Sequence, residues 1–426
     1  MNRGFYIIMA AQFCSALADN ALLIAAILLL IDFFNRPEYS PLLKFYFTVS
    51  YVVLAPFVGA FADSMPKGQV MLISNTIKIG GCLLLLFNVH PLLAYGIVGL
   101  GAAAYSPAKY GILTELLPPN QLVLANAWIE GLTVAAIILG TVLGGVLINP
   151  EISAHLAQFN LPGIDTGIDT VPEMAISVIA SFYMLAAIFN LYVPNTGVDH
   201  KPVKRNPWFL VRDFSHCLKL LWMDKLGQIS LAVTTLFWAA GATLQFIVLD
   251  WAKVALGFSL DKASMLQGVV AIGVAIGAIT AARIVPIHKS VNVLPVGAMM
   301  GVLVISMVAV TYLPLVMLLM VLIGAIAGFF VVPMNALLQH RGHILMGAGH
   351  SIAVQNFNEN AGILVMVGTY YLLQKADVSV NGAVIIFGLF VSAIMLFIMN
   401  WHRCNVTRNG AEIEKLLDVA RTSTRP

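Results

Sequence analysis

Twelve long apolar stretches constrain the fold of this chain more than any other feature of its sequence. A helix that crosses a bilayer needs about 20 predominantly apolar residues. The stretches of about this length lie at 5–31, 42–62, 70–89, 92–116, 122–148, 174–193, 227–250, 263–284, 291–312, 315–338, 348–373 and 380–401. In lipid, backbone groups find partners only within helices or closed barrels, and these continuous stretches do not alternate as barrel strands do. The sequence therefore predicts an all-α integral membrane protein.

The composition supports this class and argues against several others. Of 426 residues, 60% are hydrophobic and 10% are charged, whereas a soluble protein has about 45–50% apolar and about 25% charged residues. The net charge of +3 is too small to indicate nucleic-acid binding. The sequence contains no Walker A, HExxH or GxSxG motif, and its four cysteines form no CxxC pair. We therefore expect no metal, no cofactor and no enzymatic activity.

Basic residues fall on one side of the membrane if the twelve helices alternate in direction. The longest basic segment lies between the sixth and seventh stretches. Because cytoplasmic loops carry an excess of Lys and Arg, we expect this segment and both termini to be cytoplasmic. The predicted parts are a six-helix bundle at 1–198, a linker at 199–225, a second six-helix bundle at 226–403 and a cytoplasmic tail at 404–426.

The two predicted bundles show a faint internal repeat. Small residues lead into Pro107 in the first bundle and into Pro333 in the second. Each proline is followed two residues later by a polar residue, Lys109 or Asn335. The two prolines are 226 positions apart, about half the length of the chain. This separation favours two parallel repeats of six helices each.

Asp19 and Asn20 lie near the middle of the first stretch. A carboxylate at that depth costs about 2.5–3.5 kcal/mol on insertion scales, so it normally faces the inside of a bundle. Two interpretations remain open, a polar patch that only fixes helix packing and a polar element of a translocation path. A loose alignment of the first and seventh stretches adds Gln245, near the equivalent position of the second bundle, to the candidate residues.

Lys109 and Glu130 form a second candidate region, in the fourth and fifth stretches. Both lie roughly 12 Å from the predicted cytoplasmic boundary, counted at about 1.5 Å per residue. We expect them to form an ion pair or to compete for a substrate headgroup, with Asn126 one helical turn from Glu130. Pro107 is expected to break the fourth helix locally. Snorkelling of Lys109 alone is the alternative.

The eleventh stretch carries the densest polar cluster of any predicted span, QNFNEN at 355–360. Glu359 lies close to the predicted midplane, and Asn356 and Asn360 share a helix face at i,i+4 spacing. We predict that these three residues bind substrate. A polar seam between two helices is the alternative.

The predicted cytoplasmic turn after the second stretch, GAFADSMPKG at 59–68, is interpreted as a gate element rather than a substrate site. Gly59 allows close approach of helices, and Asp63 can cap a neighbouring helix or pair with a cation. The residues assigned to gate or structural roles are Gly59, Asp63, Lys67, Pro107 and Pro333. An ordinary polar turn is the alternative.

Six strings are specific enough to indicate a family. They are QFCSALADNALL at 12–23, LAPFVGAFADS at 54–64, GAAAYSPAKYGILTEL at 101–116, TLFWAAGATLQF at 235–246, GFFVVPMNALLQHRG at 328–342 and GAGHSIAVQNFNEN at 347–360. With similarity through all twelve stretches, the chain resembles the lysophospholipid transporter family, LplT, of the major facilitator superfamily. The resemblance implies a major facilitator fold of two six-helix halves in a bacterial inner membrane. It implies inward movement of lysophosphatidylethanolamine and related lysolipids without ATP or an ion gradient. It also implies a cytoplasmic acyltransferase/acyl-ACP synthetase as the partner that restores the second acyl chain.

The resemblance also bears on single residues. Asp19, Lys109, Glu359 and Asn360 match polar positions of the family. Gln245 stands where the family is expected to have Arg, which removes a cation that could pair with Asp19 or with a lipid phosphate. In a lysolipid transporter, Lys109 can meet the phosphate, and Asp19 or Glu359 can meet an ethanolamine ammonium.

Two other functions compete with lysolipid transport. A proton-coupled facilitator that exports amphiphilic drugs would use Asp19 or Glu359 as the proton carrier. A membrane-embedded enzyme that acts on lysolipids would need a nucleophile–base pair or an HxxxxD-type acyltransferase signature, which the sequence lacks. Sensitivity of transport to an ionophore distinguishes the exporter from the lysolipid transporter.

Overall fold

The computed structural model describes residues 3–35, 37–116, 119–149, 151–152, 170–197, 206–346 and 348–422. These ranges contain helices, short 3-10 segments, turns and no strand. The helices are α1 Arg3–Phe34, α2 Ser40–Asp63, α3 Lys67–Leu86, α4 Pro91–Leu116, α5 Pro119–Leu147, α6 Val171–Leu191, α7 Pro207–Met223, α8 Gly227–Leu256, α9 Leu260–Ile284, α10 Leu294–Ser306, α11 Leu313–Met346, α12 Ala348–Lys375 and α13 Val380–Thr422. Each of the twelve apolar stretches coincides with one of these helices, and α7 is an additional helix within the predicted linker.

Nine helical segments of the described chain are long and apolar enough to cross a membrane. The other three predicted spans correspond to α4, α5 and α12. These three helices carry Lys109, Glu130 and the 355–360 cluster. Asp19 and Gln245 lie instead in α1 and α8, which are among the nine apolar segments.

The chain divides into two compact units. Unit 1 comprises residues 1–54, 58–203 and 248–268, and unit 2 comprises 55–57, 204–247 and 269–426. Within unit 1, α1 packs against α4, α5 and α6, while α3 packs against α4 and α6. Because it packs against three other helices, α1 has a mostly buried surface, and its polar residues must find partners inside the unit.

Unit 2 is built around α11. This helix packs against α10, α12 and the 3-10 segment Ile287–Val293, and α10 also packs against α13. Helices α9 and α11 approach so closely that a Cβ atom added to Gly277 would overlap the Ala325 carbonyl oxygen. This contact fits the close-packing role expected of small residues in membrane helices.

A buried ion pair joins the α7–α8 junction to α11. Arg341 Nε donates to Asp224 Oδ1 at 3.2 Å, and its Nη2 donates to the second carboxylate oxygen. The same carboxylate accepts a hydrogen bond from the backbone N–H of Gly227 at 2.7 Å and so caps the start of α8. This pair is structural, because it satisfies a helix terminus as well as two buried charges.

The region predicted as a polar tail is helical throughout its described part. Helix α13 continues to Thr422 with a kink at Asn409, where φ is −133° and ψ is 37°. Beyond the kink, Ile413 is 3% exposed and packs against Leu226, Val291 and Leu337. Leu416 and Leu417 extend this contact, since i+3 and i+4 spacing places them on the same face as Ile413.

Candidate functional site

Asp19 lies at the centre of a hydrogen-bonded cluster that joins α1 to three other helices of unit 1. Its Oδ2 accepts a hydrogen bond from Lys78 Nζ on α3 at 2.8 Å. Its Oδ1 accepts one from the Tyr183 hydroxyl on α6 at 2.7 Å. The Tyr95 hydroxyl on α4 donates to the backbone carbonyl of Asp19 at 3.2 Å. Two different side chains therefore fix the two carboxylate oxygens.

Lys78 is held by a second set of contacts. Its Nζ also donates to Ser15 Oγ at 2.9 Å, and Ser15 in turn donates to Asn75 Oδ1 at 2.7 Å. The ammonium lies 5.2 Å from the ring centroid of Tyr105 and 5.5 Å from that of Tyr183. At these distances the ring faces attract the cation.

Gly101 on α4 makes room for the Lys78 stem. A Cβ atom added there would lie 2.8 Å from Lys78 Cγ and 2.6 Å from the backbone oxygen of Ser74. Both distances are shorter than real Cβ contacts. The close approach of α3 and α4 that orients Lys78 therefore requires glycine at this position.

The two members of the ion pair differ in exposure. The Lys78 side chain is 1% exposed and the Asp19 side chain is 19% exposed. An ionised carboxylate has about four acceptor positions, and the contacts with Lys78 and Tyr183 occupy two of them. The open edge of Asp19 can therefore accept a hydrogen bond from a ligand, whereas Lys78 is reached only through Asp19.

Asp19 is predictable from the sequence, but its partners are not. The cation expected to pair with Asp19 was the one lost at Gln245, but the cation that contacts Asp19 is Lys78. Gln245 is half-buried on α8 in unit 2. The signal that could have found Lys78 is its position in an apolar span, one helical turn from Asn75. Asn20 bonds locally instead, since its Nδ2 donates to the Ala16 carbonyl at 2.8 Å.

Lys109 is half-buried on α4, and its Nζ lies 4.4 Å from the ring centroid of Tyr110. The side chains of Asn126 and Glu130, on α5, lie outside the described residues, so the ion pair of Lys109 with Glu130 stays a prediction. Helix α4 is continuous through Pro107, contrary to the expected local break. One missing N–H donor does not interrupt a membrane helix whose other backbone bonds are kept.

In unit 2, Gln355 connects the polar cluster of α12 to α11. Its Nε2 donates to Asn335 Oδ1 at 2.7 Å and to Glu359 Oε1 at 2.8 Å. Glu359 is 7% exposed. Asn335, which follows Pro333 in the internal repeat, thus belongs to the same cluster as Glu359. Helix α11 is continuous through Pro333.

The remaining asparagines of α12 have separate partners. Asn360 Nδ2 donates to the carbonyl of Asn356 at 2.7 Å, and both residues are half-buried. Asn358 accepts a hydrogen bond from Trp222 Nε1 on α7 at 3.1 Å. The Asn360–Asn356 bond joins positions four residues apart, which is the spacing that predicts both residues on one helix face.

The predicted gate turn is described in part. Lys67 Nζ donates to the Ala62 carbonyl at 2.7 Å near the end of α2, and Lys67 is 5% exposed. This bond satisfies a carbonyl that the helix end leaves free. The surroundings of Gly59 and the side chain of Asp63 are not described, so the gate roles of both residues stay predictions.

Comparisons with known proteins place the chain among membrane transporters. Residues 8–367 match the model of the Major Facilitator Superfamily. The chain is 42% identical over 378 residues, 88% of either chain, to the lysophospholipid transporter LplT of Yersinia pestis (strain Pestoides F). The LplT of Yersinia pseudotuberculosis serotype I (strain IP32953) gives the same values.

Solved structures share the fold at low sequence identity. The human organic anion transporter MFSD10 (TETRAN) has a TM-score of 0.65 and 17% identity, with 94% of this chain and 100% of that chain covered. An auto-inhibited POT family peptide transporter has a TM-score of 0.64 and 13% identity, with 94% and 97% covered. The predicted major facilitator fold is confirmed.

Proposed function

This chain belongs to the major facilitator superfamily and, within it, to the lysophospholipid transporters LplT, and from this premise we propose that it carries lysophospholipids across a membrane. The observation that carries the proposal is the 42% identity to LplT over 88% of both chains. The chain is a multi-pass membrane protein, with nine apolar spans in its described part. Its relatives are named as transporters.

The charge distribution of the described helices supports a lipid substrate. A lysolipid has one acyl chain and a compact headgroup, so it needs a polar path for the head and an apolar surface for the tail. The open edge of Asp19 offers a hydrogen-bond acceptor to an ammonium, and Lys109 offers a cation to a phosphate. Glu359 and its amide partners supply a second polar region within an apolar helix. Few charges and long apolar faces suit a lipid better than a sugar.

We further propose a direction, a location and a partner. Transport runs inward across a bacterial inner membrane, with both termini cytoplasmic. The basic segment 199–225 supports this orientation. A cytoplasmic acyltransferase/acyl-ACP synthetase then restores the second acyl chain of the delivered lysolipid.

The test is uptake of labelled lysophosphatidylethanolamine into spheroplasts, with and without an ionophore. We expect uptake that is insensitive to the ionophore and is abolished by Asp19→Asn and by Lys109→Ala. Lys219→Ala, which changes an exposed lysine of α7, is the matched control and should leave uptake unchanged. Uptake that collapses with the proton gradient would instead favour the proton-coupled exporter of amphiphilic drugs. No uptake at all would overturn the proposal.

A further inference from the structure

We propose that Lys78 is a specificity-determining residue, which neutralises Asp19 and thereby prevents the site from binding lipophilic cations. The inference rests on the proposed function in one respect, that Asp19 receives the ligand headgroup. Lys78 acts through Asp19, since it is 1% exposed and cannot itself be reached by a ligand.

The charge balance around Asp19 follows from the groups that face it. Lys78 contacts the carboxylate at 2.8 Å, and Lys44 on α2 acts on it over a longer range. The other titratable groups of the described residues that act on Asp19 are uncharged at neutral pH and lie on α2, α3, α4 and α6. They are Tyr51, Cys82, Tyr95, Tyr105 and Tyr183. The site therefore carries no net negative charge.

This balance selects a class of ligand. An isolated carboxylate inside an apolar bundle attracts any amphiphilic cation, because Coulomb attraction is strong where water is scarce. A carboxylate that is already paired offers directed hydrogen-bond acceptors without a net negative charge. A headgroup that carries its own phosphate meets no net repulsion there, whereas a cation gains little. Specificity of this kind comes from weakening the wrong complex as well as from contacts to the right one.

Two ions of equal size and opposite charge, tetraphenylphosphonium and tetraphenylborate, test this balance directly. Their equilibrium binding is measured with the full chain in nanodiscs of zwitterionic lipid at about pH 8, where carboxylates are normally ionised. We expect Lys78→Met to bind tetraphenylphosphonium about tenfold more tightly than the wild type. Asp19→Asn should gain a similar factor for tetraphenylborate, because it leaves Lys78 unbalanced. The double variant should return to wild-type affinity for both ions.

A variant that is merely misfolded would not gain affinity for one of the two ions alone, so such a gain distinguishes the proposed role of Lys78 from damage to the fold. Arg341→Gln is the control, because it breaks a different buried ion pair and should change neither affinity. Unchanged tetraphenylphosphonium affinity in Lys78→Met, or an equal gain in the double variant, would overturn the inference. If Lys78→Met does not fold, Asp19→Asn and the double variant decide the question with tetraphenylborate. These measurements use no lysolipid, so a failure of lysolipid uptake would overturn the proposed function separately.

Discussion

Each unit of this protein stabilises a carboxylate inside its helix bundle, but by different means. In unit 1, Asp19 is bound by a cation and a phenol from helices α3 and α6. In unit 2, Glu359 accepts a hydrogen bond from the amide of Gln355 on its own helix, and that amide also bonds Asn335 on α11. The Asp19 contacts include an ion pair and join helices that are far apart in the sequence. The donor to Glu359 is an uncharged amide on the same helix.

The difference lies in charge and in sequence separation. Lys78 and Tyr183 are 59 and 164 residues from Asp19, whereas Gln355 is four residues from Glu359 and 20 from Asn335. Removing one partner of a buried ion pair costs more than removing one partner of a neutral hydrogen bond, because it leaves an uncompensated charge. The Asp19 cluster should therefore be the more sensitive of the two to substitution.

The largest effect is expected from Lys78→Met, which leaves the Asp19 carboxylate without its contact cation. Removing one partner of a buried ion pair costs about 3–5 kcal/mol, and the partial exposure of Asp19 places the expected loss toward the lower end. The measurement is the Tm of the purified protein. The double variant with Asp19→Asn should recover most of the loss. A Tm within experimental error of wild type in Lys78→Met would show that the two clusters do not differ in this way.

Gln355→Leu should have a smaller effect, although it removes the donor to two acceptors at once. Leaving buried Glu359 and half-buried Asn335 without this donor costs about 1–3 kcal/mol. The same Tm measurement applies, with Asn360→Leu as a half-buried polar control on the same helix. A loss larger than that of Lys78→Met would reverse the comparison between the units.

Tyr183→Phe should have the smallest effect, about 1 kcal/mol, because Lys78 still binds the carboxylate. Tyr105→Phe is the matched control, since the Tyr105 hydroxyl is buried and has no hydrogen-bond partner in the described part of the chain. We expect Tyr105→Phe to leave Tm almost unchanged. Equal losses in both variants would mean that the Tyr183–Asp19 bond contributes little.

The fold could be predicted from hydropathy because the lipid environment leaves the backbone few alternatives. All twelve apolar stretches coincide with helices. Pro107 was expected to break α4, but the helix continues through it. The reason is that one missing donor costs less than disrupting a helix that packs on both α1 and α3. A local rule about proline therefore gave way to tertiary packing.

The site was predictable only where its contacts are local. The cost of burying a charge identified Asp19 and Glu359 as candidate site residues. The amide side chains between 355 and 360 lie on the same helix as Glu359, so their proximity to it could be predicted. The pairing of Asp19 with Lys78 depends on which helices become neighbours, and no periodicity in α1 or α3 encodes that choice. Gly101 leaves room for the Lys78 side chain because it lacks a Cβ atom, but this role is visible only once α3 and α4 are known to be in contact.

The helical segment after Asn409 packs on unit 2 and is part of its fold. A chain stopped after Arg403 would keep all twelve apolar stretches, so a hydropathy profile would score it as intact. It would nevertheless lose Ile413 and its neighbours and leave Leu226, Val291 and Leu337 uncovered. Newly uncovered apolar surface of this kind promotes aggregation. Truncations in this region should therefore impair folding, although they remove no membrane span.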